Sequence, residues 1–207
     1  RDPDNFVRNG KPVGPLEGYS SQLVVDEALS WLDTTRDKQK PFFLFVCFHE
    51  PHEPIASAEI FERQYPDLKN PAQVRHHANI TQMDHAFGRL LAGLDQHHLS
   101  DDTLVLFTSD NGPHYEGGHQ PGFFNSNGPL KGHKRYLYEG GIRVPLIAYW
   151  PGRVKAGSVN DHICAHWDLM PTFCELAKIS TPEHTDGISY VPALTGGKQK
   201  KHDYLYW

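Results

Sequence analysis

The chain alternates apolar runs of strand length with stretches of helical periodicity. The helical stretches cover residues 19–35, 74–99 and 166–179. The apolar runs cover Phe42–Phe48, Thr103–Phe107 and Val144–Tyr149. Continuous apolar runs of this length are typical of strands buried on both faces. Ser20 or Ser21 is the expected N-cap of the first helix.

This order of elements predicts an α/β sandwich with a mainly parallel sheet flanked by helices. In such sheets, ligands bind beyond the carboxyl ends of the strands. The loops "HEPHEP" and "SDNGPHYEGG" both follow predicted strands and should lie there. The Gly- and Pro-rich stretch 112–132 is too long for a simple connection, which favours a functional loop.

Composition narrows the function only slightly. The 207 residues are 38% hydrophobic with a net charge of −5, which suits one globular domain and excludes a broad basic surface for nucleic acid. No apolar run approaches the ~18 residues of a membrane span. The three cysteines, Cys47, Cys164 and Cys174, are too scattered for a disulfide framework and are expected to be buried free thiols.

The two ends suggest an internal piece of a longer polypeptide. The chain opens on "RDPDNF" without Met and closes on "HDYLYW", whose alternation predicts a strand. Residues 203–207 are the candidate start of a C-terminal subdomain.

Asp110 and Asn111 are the candidate metal ligands. They follow the apolar run "TLVLF" and offer hard oxygen atoms, which suit Ca²⁺ or Mg²⁺. Asp-Asn-Gly is also a common turn sequence. From these residues alone, both readings stay open.

Histidines and lysines supply the remaining candidates. His49 and His52 flank a proline in "HEPHEP" and could hold a metal or perform acid–base chemistry. Lys134 lies in a basic, Gly-rich stretch that could bind an oxyanion, although a solvated loop is the simpler reading. His76 and His77 lie on the predicted long helix and are expected to be solvated.

Four segments in order resemble the sulfatase family of the alkaline-phosphatase superfamily. They are "PFFLFVCFHEPHEP", "DTLVLFTSDNGP", "LKGHKRYLYEGGIRVPLIAYWPG" and "DLMPT". The resemblance implies that residues 1–207 are the C-terminal part of a sulfatase catalytic domain with an alkaline-phosphatase-like fold. It also implies hydrolysis of sulfate monoesters, of a sulfated carbohydrate or an aryl sulfate. The stretch after "SDNG" resembles bacterial enzymes labelled N-acetylgalactosamine-sulfatase or arylsulfatase.

The resemblance also implies roles for individual residues. Asp110 and Asn111 would bind Ca²⁺, with Mg²⁺ as the alternative, and His52 and Lys134 would be catalytic. Lys134 lies five residues before Glu139, whereas the competing Lys131 lies eight before it and fits the family spacing less well. The cation and the ammonium would neutralise the sulfate, and the imidazole would protonate the departing alkoxide.

One family motif is absent. Sulfatases use a formylglycine made from Cys or Ser in C/S-x-P-x-R, but Cys47 is followed by "FHEP". The nucleophile and the family's N-terminal acidic metal ligands are therefore expected outside this chain. Two alternatives stay open: a phosphodiesterase or phosphonate hydrolase of the same superfamily, and a catalytically dead protein that binds sulfated glycans.

The substrate cannot be read from the motifs. His114, His119 and Asn127 are candidate sugar contacts, and each could equally be ordinary loop. By resemblance, the compartment would be periplasmic, secreted or lysosomal. Geometrically, the side chains of Asp110, Asn111, His52 and Lys134 are predicted to line one cleft within about 10 Å of one another, the scale of a small-ligand pocket.

Overall fold

The computed structural model describes residues 1–207, which form two compact units. The first unit comprises Arg1–His98 and Asn111–Arg143. The second comprises Leu99–Asp110 and Val144–Trp207. No helix combines the length and the apolar character that crossing a bilayer requires.

Two long helices form the core of the first unit. Helix α1 spans Ser20–Ser30 and continues through a π-helical turn, Trp31–Thr35. Helix α3 spans Pro71–Gln96, and the short helix α2, Glu59–Glu62, precedes it. Both long helices were predicted, and they pack through small and aliphatic side chains. The buried apolar residues of α1, the π-helical turn and α3 are Val25, Ala28, Leu32, Ala78, Ala86, Leu90 and Leu94.

The N-terminus of α1 is capped by a distant carboxylate rather than by a serine. The helix begins at Ser20, and neither Ser20 nor Ser21 acts as its N-cap. Glu50, 7% exposed, accepts hydrogen bonds at Oε1 from Ser20 Oγ (2.9 Å) and from the Ser21 N–H (3.0 Å). A carboxylate is favoured there because it meets the positive end of the helix dipole. The loop after residue 48 is thereby tied to α1.

A short hairpin near the N-terminus was not predicted. Strands β1, Val7–Arg8, and β2, Lys11–Pro12, pair antiparallel around Asn9 and Gly10. Both turn residues have positive φ, 51° and 78°, which is the backbone that Asn-Gly favours in two-residue hairpins.

The prediction of a buried strand at Phe42–Phe48 was wrong. The segment belongs to neither sheet of the structure, and its residues alternate between exposed and half-buried. Phe43 and Phe45 are 65% and 73% exposed. An unbroken apolar run gave no information about which neighbouring strand would cover it.

In the second unit, strand β3, Val105–Thr108, pairs with β4, Leu146–Tyr149. Both strands were predicted, but the ladder is antiparallel rather than parallel. A parallel pair needs a crossover, usually a full helix. The intervening segment instead holds only the one-turn helices α4, Pro121–Phe124, and α5, Glu139–Ile142.

The rest of the second unit is organised around Asp168. Helix α6 spans Leu169–Ala177, as predicted, and α7 spans Val191–Thr195. The fully buried Asp168 carboxylate accepts hydrogen bonds from the N–H groups of Ala165 (2.8 Å) and Ile188 (2.7 Å), and it contacts His202 Nε2 (2.8 Å).

Two smaller expectations were also wrong. Cys47 is exposed, whereas Cys174 is buried and Cys164 lies between. The alternating residues near the end of the chain form no strand, and Tyr204 and Tyr206 are 80% and 84% exposed. In both cases the sequence pattern predicted burial, but no neighbouring element covers these side chains in the structure.

Candidate functional site

The "HEPHEP" loop folds onto the backbone of Glu53. His49 Nε2 lies 3.0 Å and His52 Nδ1 2.9 Å from the Glu53 carbonyl oxygen. Glu50 of the same loop caps α1, so hydrogen bonds hold the loop both to that helix and to its own backbone. His52 itself is exposed.

Three imidazoles converge on the Glu53 side chain. From Glu53 Oε2 the distances are 3.3 Å to His52 Nδ1, 3.4 Å to His114 Nε2 and 3.8 Å to His119 Nε2. The rings of His52 and His114 lie 5.4 Å apart, and those of His114 and His119 lie 4.3 Å apart. The structure therefore brings together three residues that the sequence proposed separately, around an acid that it did not propose.

A fourth histidine lies behind this cluster and corrects the sequence interpretation. His76 was expected to be solvated, but it is 8% exposed and packs on the Phe124 ring at 4.2 Å. Its Nδ1 lies 3.2 Å from Nδ1 of His119. Burial, aided by the nearby imidazoles, lowers the pKa of His76 to about 4. Its face of α3 is covered by the segment around α4, which helical periodicity alone does not reveal.

Burial and local charge set the protonation of the cluster. Burial lowers the pKa of His119, and the nearby charges of His114 and Lys134 lower it further. A hydrogen bond from its own backbone lowers the pKa of Glu53, and the three imidazoles add to this effect. Near neutral pH, the site combines an ionised carboxylate with a neutral His119.

Close backbone packing holds the loop that carries Lys134. The Gly112 N–H donates to the Gly141 carbonyl (2.9 Å), and the Gly140 N–H donates to the Lys131 carbonyl (2.7 Å). A Cβ on Gly112 would lie 1.9 Å from the Gly140 oxygen, so only glycine fits there. The Lys134 N–H donates to the carbonyl of Pro113 (2.8 Å), directly before His114.

The two candidate lysines have different surroundings. The Lys131 ammonium lies 4.0 Å from the centroid of the Tyr138 ring, a cation–π contact. Lys134 is half-buried, and its charge lowers the pKa values of His119 and Glu116. Of the two, Lys134 is the one linked to the imidazole cluster.

Asp110 and Asn111 lie where the sequence predicted, directly after β3. Asp110 is exposed, and Asn111 is half-buried with its Nδ2 donating to the Gly112 carbonyl (3.0 Å). That bond fixes the amide plane and turns Oδ1 away from Gly112. The boundary between the two units falls between these residues. Their predicted meeting with His52 and Lys134 in one cleft therefore stays a prediction.

Asn127 has a bracing role in its loop. Its Nδ2 donates to the carbonyls of Leu130 (2.8 Å) and Gly132 (2.7 Å). These bonds occupy both amide hydrogens, so any contact with a sugar would have to use Oδ1.

Comparison with known proteins identifies the family. The sequence profile described as Sulfatase matches residues 2–179. The chain belongs to the sulfatase family. N-acetylgalactosamine-6-sulfatase of the dog (Canis lupus familiaris) is 32% identical over 193 residues, 92% of this chain and 35% of that protein. Human steryl-sulfatase is 35% identical over 208 residues, 97% of this chain and 34% of that protein.

A solved structure gives the fold. The crystal structure described as Ps i-CgsB in complex with k-i-k-neocarrahexaose has a TM-score of 0.80 and 33% identity, covering 89% of this chain and 40% of that one. The predicted family and the alkaline-phosphatase-like α/β class are confirmed. This sulfatase chain spans about a third of the length of the curated relatives that it matches.

Two members of the cluster were missed from sequence. Glu53 stands inside "HEPHEP", where two acids alternate with two histidines, and that alternation was the available signal. His76 had no such signal, because only the folded loop 112–124 covers it.

Proposed function

We propose that the complete sulfatase hydrolyses sulfate monoesters of a sulfated carbohydrate. The observation that carries this proposal is the packing of the His52 loop and the Lys134 loop against the same segment, 113–119, in a chain of the sulfatase family. The oligosaccharide bound to the related Ps i-CgsB supports a carbohydrate as the substrate class.

Asp110 and Asn111 are proposed to hold Ca²⁺, with Mg²⁺ as the alternative. Their carboxylate and amide oxygens fit a hard cation, and the hydrogen bond from Asn111 to Gly112 orients the amide for coordination. When bound, the cation would neutralise charge on the sulfate. A formylglycine made from a Cys or Ser outside these 207 residues is proposed to supply the nucleophile.

His52 is proposed to protonate the departing alkoxide. A sugar hydroxyl is a poor leaving group, so bond cleavage needs a proton at the bridging oxygen. The contact of Nδ1 with the Glu53 carbonyl engages that nitrogen and leaves Nε2 as the nitrogen that would carry the transferred proton. The exposed position of His52 supports this role.

Lys134 is proposed to bind a sulfate oxygen. Its compact charge suits a tetrahedral oxyanion, which needs no bidentate fork. The backbone bond to Pro113 and the packing of Gly112, Gly140 and Gly141 hold its loop in place. His114, His119 and Asn127 are proposed as neighbouring substrate contacts, and the compartment is proposed to be periplasmic, secreted or lysosomal.

The test compares leaving groups in the complete sulfatase that carries this sequence. His52→Ala should lower kcat/KM for a sugar sulfate by about 10²–10⁴, the usual contribution of a general acid. For an activated aryl sulfate the loss should be much smaller, because that leaving group needs little protonation. His98→Asn, at an exposed histidine with φ of 54°, is the matched control.

Equal losses on both substrates would show that His52 binds sulfate instead of donating the proton. The same preparation tests the metal. Asp110→Ala should weaken Ca²⁺ binding and activity together, and unchanged Ca²⁺ affinity would remove Asp110 from the ligand set.

A further inference from the structure

The carboxylate–imidazole cluster around Glu53 is itself built like a site for a transition metal. We propose that Glu53, His114 and His119 bind a divalent ion of the Zn²⁺ class, with a fourth coordination position facing His52. Imidazole nitrogen and one carboxylate are ligands that Zn²⁺ favours, whereas Ca²⁺ favours all-oxygen shells. This site is therefore chemically different from the proposed Asp110–Asn111 pair.

The distances from Glu53 Oε2 to the two imidazoles are close to those around a tetrahedral ion. Bonds of about 2.0–2.1 Å at tetrahedral angles place ligand atoms roughly 3.3–3.4 Å apart. Glu53 Oε2 lies 3.4 Å from His114 Nε2 and 3.8 Å from His119 Nε2. The ligand atoms of His52, Glu53 and His114 all lie within 4.8 Å of one another. Shortening the distance between Glu53 Oε2 and His119 Nε2 by about 0.4 Å would bring both of these pairs to the tetrahedral separation.

Two of the three ligand atoms lack hydrogen bonds. Glu53 Oε2 and His119 Nε2 are both buried, and neither has a hydrogen-bond partner in the structure. The side chain of His119 is 5% exposed. Buried polar atoms left in this way cost about 1–3 kcal/mol each. A single ion between them would satisfy both.

In both His114 and His119, a neighbouring group contacts Nδ1, the ring nitrogen that does not bind the metal, which is where the partners of metal-bound histidines lie. His119 Nδ1 contacts Nδ1 of the buried His76 at 3.2 Å. His114 Nδ1 lies 3.8 Å from Glu116 Oε2. Nδ1 also accepts a hydrogen bond from the Glu116 N–H at 3.3 Å. A metal at Nε2 places the ring proton on Nδ1, so metal binding would break this bond and draw the Glu116 carboxylate closer as the new acceptor.

Charge at the site works in both directions. The Glu53 carboxylate attracts a cation, and a neutral imidazole at His119 would offer the lone pair of its buried Nε2. Lys134 opposes a cation, because its charge reaches His119. His52 contributes least as a ligand, since its Nδ1 is engaged with the Glu53 carbonyl at 2.9 Å. Mutation of Glu53 or His119 should therefore weaken metal binding more than mutation of His52.

The test uses Zn²⁺ alone and needs no substrate. The complete polypeptide that carries this sequence is stripped of metal and titrated at pH 7.5 by calorimetry in competition with a chelator. One Zn²⁺ should bind per chain at this cluster. Glu53→Gln, which is isosteric, and His119→Ala should each raise Kd at least about 10-fold, because each removes a proposed ligand and even loss of a ligand's supporting partner has an effect of that size. His52→Ala should change Kd less than these two, and His98→Asn should leave it unchanged.

Circular dichroism and the urea midpoint report whether each variant is folded. If His119→Ala does not fold, Glu53→Gln decides the question. Absence of stoichiometric Zn²⁺ binding to the wild type, or an unchanged Kd in folded Glu53→Gln, would overturn the proposal. Sulfate ester turnover is measured separately in Ca²⁺ buffer, so failure of one proposal leaves the other standing.

Discussion

At the residue scale, surroundings separate the histidines that the sequence makes look alike. The chain has fourteen histidines, and the pairs His76–His77 and His97–His98 cannot be distinguished from the sequence alone. In the structure, His76 is buried against Phe124 and His98 is exposed. Burial keeps the first neutral, whereas the second lies in water. Chemistry at this site therefore depends on cover supplied by the loop around α4.

Stability should fall with acid because of His76. Its pKa is about 4 in the folded chain, below the ordinary value of 6.5, so only the unfolded chain binds this proton between those values. Stability from this group is full above pH 6.5 and is lost as pH falls toward 4. The loss should be about 1–3 kcal/mol by the linkage relation.

Urea unfolding measured from pH 7.5 to 4 tests this prediction. His76→Phe keeps an aromatic ring against Phe124 but cannot bind the proton, so its stability should vary less with pH than that of the wild type. His98→Asn should retain the wild-type slope. A wild-type slope in His76→Phe would mean that other groups, His119 among them, cause the pH dependence.

At the element scale, backbone approach decides where the Lys134 loop lies. Gly112, Gly140 and Gly141 pack main chain against main chain, which a side chain at any of them would prevent. The sequence showed these glycines within "SDNG" and "YEGG" but could not show that the two motifs touch each other. It likewise predicted β3, β4 and the long helices, because their periodicity is local. It missed the antiparallel pairing, and it wrongly predicted a strand at Phe42–Phe48, because strand pairing depends on distant segments.

Two glycine-to-alanine substitutions distinguish the effect of close backbone packing from the effect of helix propensity. Gly112→Ala should lower the free energy of unfolding by about 1–3 kcal/mol, because its Cβ would overlap the Gly140 carbonyl. Gly88→Ala, on α3 with no atom within 4 Å of the added Cβ, should raise it by about 0.5–1 kcal/mol. Chemical denaturation of both variants is the measurement. Similar effects of the same sign would contradict the packing argument.

At the scale of the whole molecule, the chain carries part of a sulfatase-family domain. The sequence predicted the family, because short motifs such as "TSDNG" and "YEGGIRVP" were enough to show the resemblance. The roles of the candidate residues stay predictions. It did not predict Glu53 as the centre of the imidazoles, because that arrangement arises only when loops 49–54 and 113–119 meet. Motif order identified the family, whereas folding determined the geometry.

The isolated chain should not turn over sulfate esters. Its 207 residues contain no C/S-x-P-x-R motif from which formylglycine could form. Exposed Phe43 and Phe45, 65% and 73% accessible, should also make it bind hydrophobic dyes. Assays of purified 1–207 with an aryl sulfate and Ca²⁺ test the first point, and dye fluorescence tests the second. Metal-dependent hydrolysis by this chain would contradict the assignment of the nucleophile to another segment.

The Glu50 cap on α1 has a consequence for inherited or engineered variation. One carboxylate joins the start of that helix to the loop of His52. Mutations that shift or fray the helix should therefore also displace the imidazole of His52, two residues after Glu50. Residues that never approach a substrate would then alter turnover. Val25 and Leu32, both fully buried, are such positions. Screens for altered activity should therefore recover substitutions in the helical core as well as in the loops.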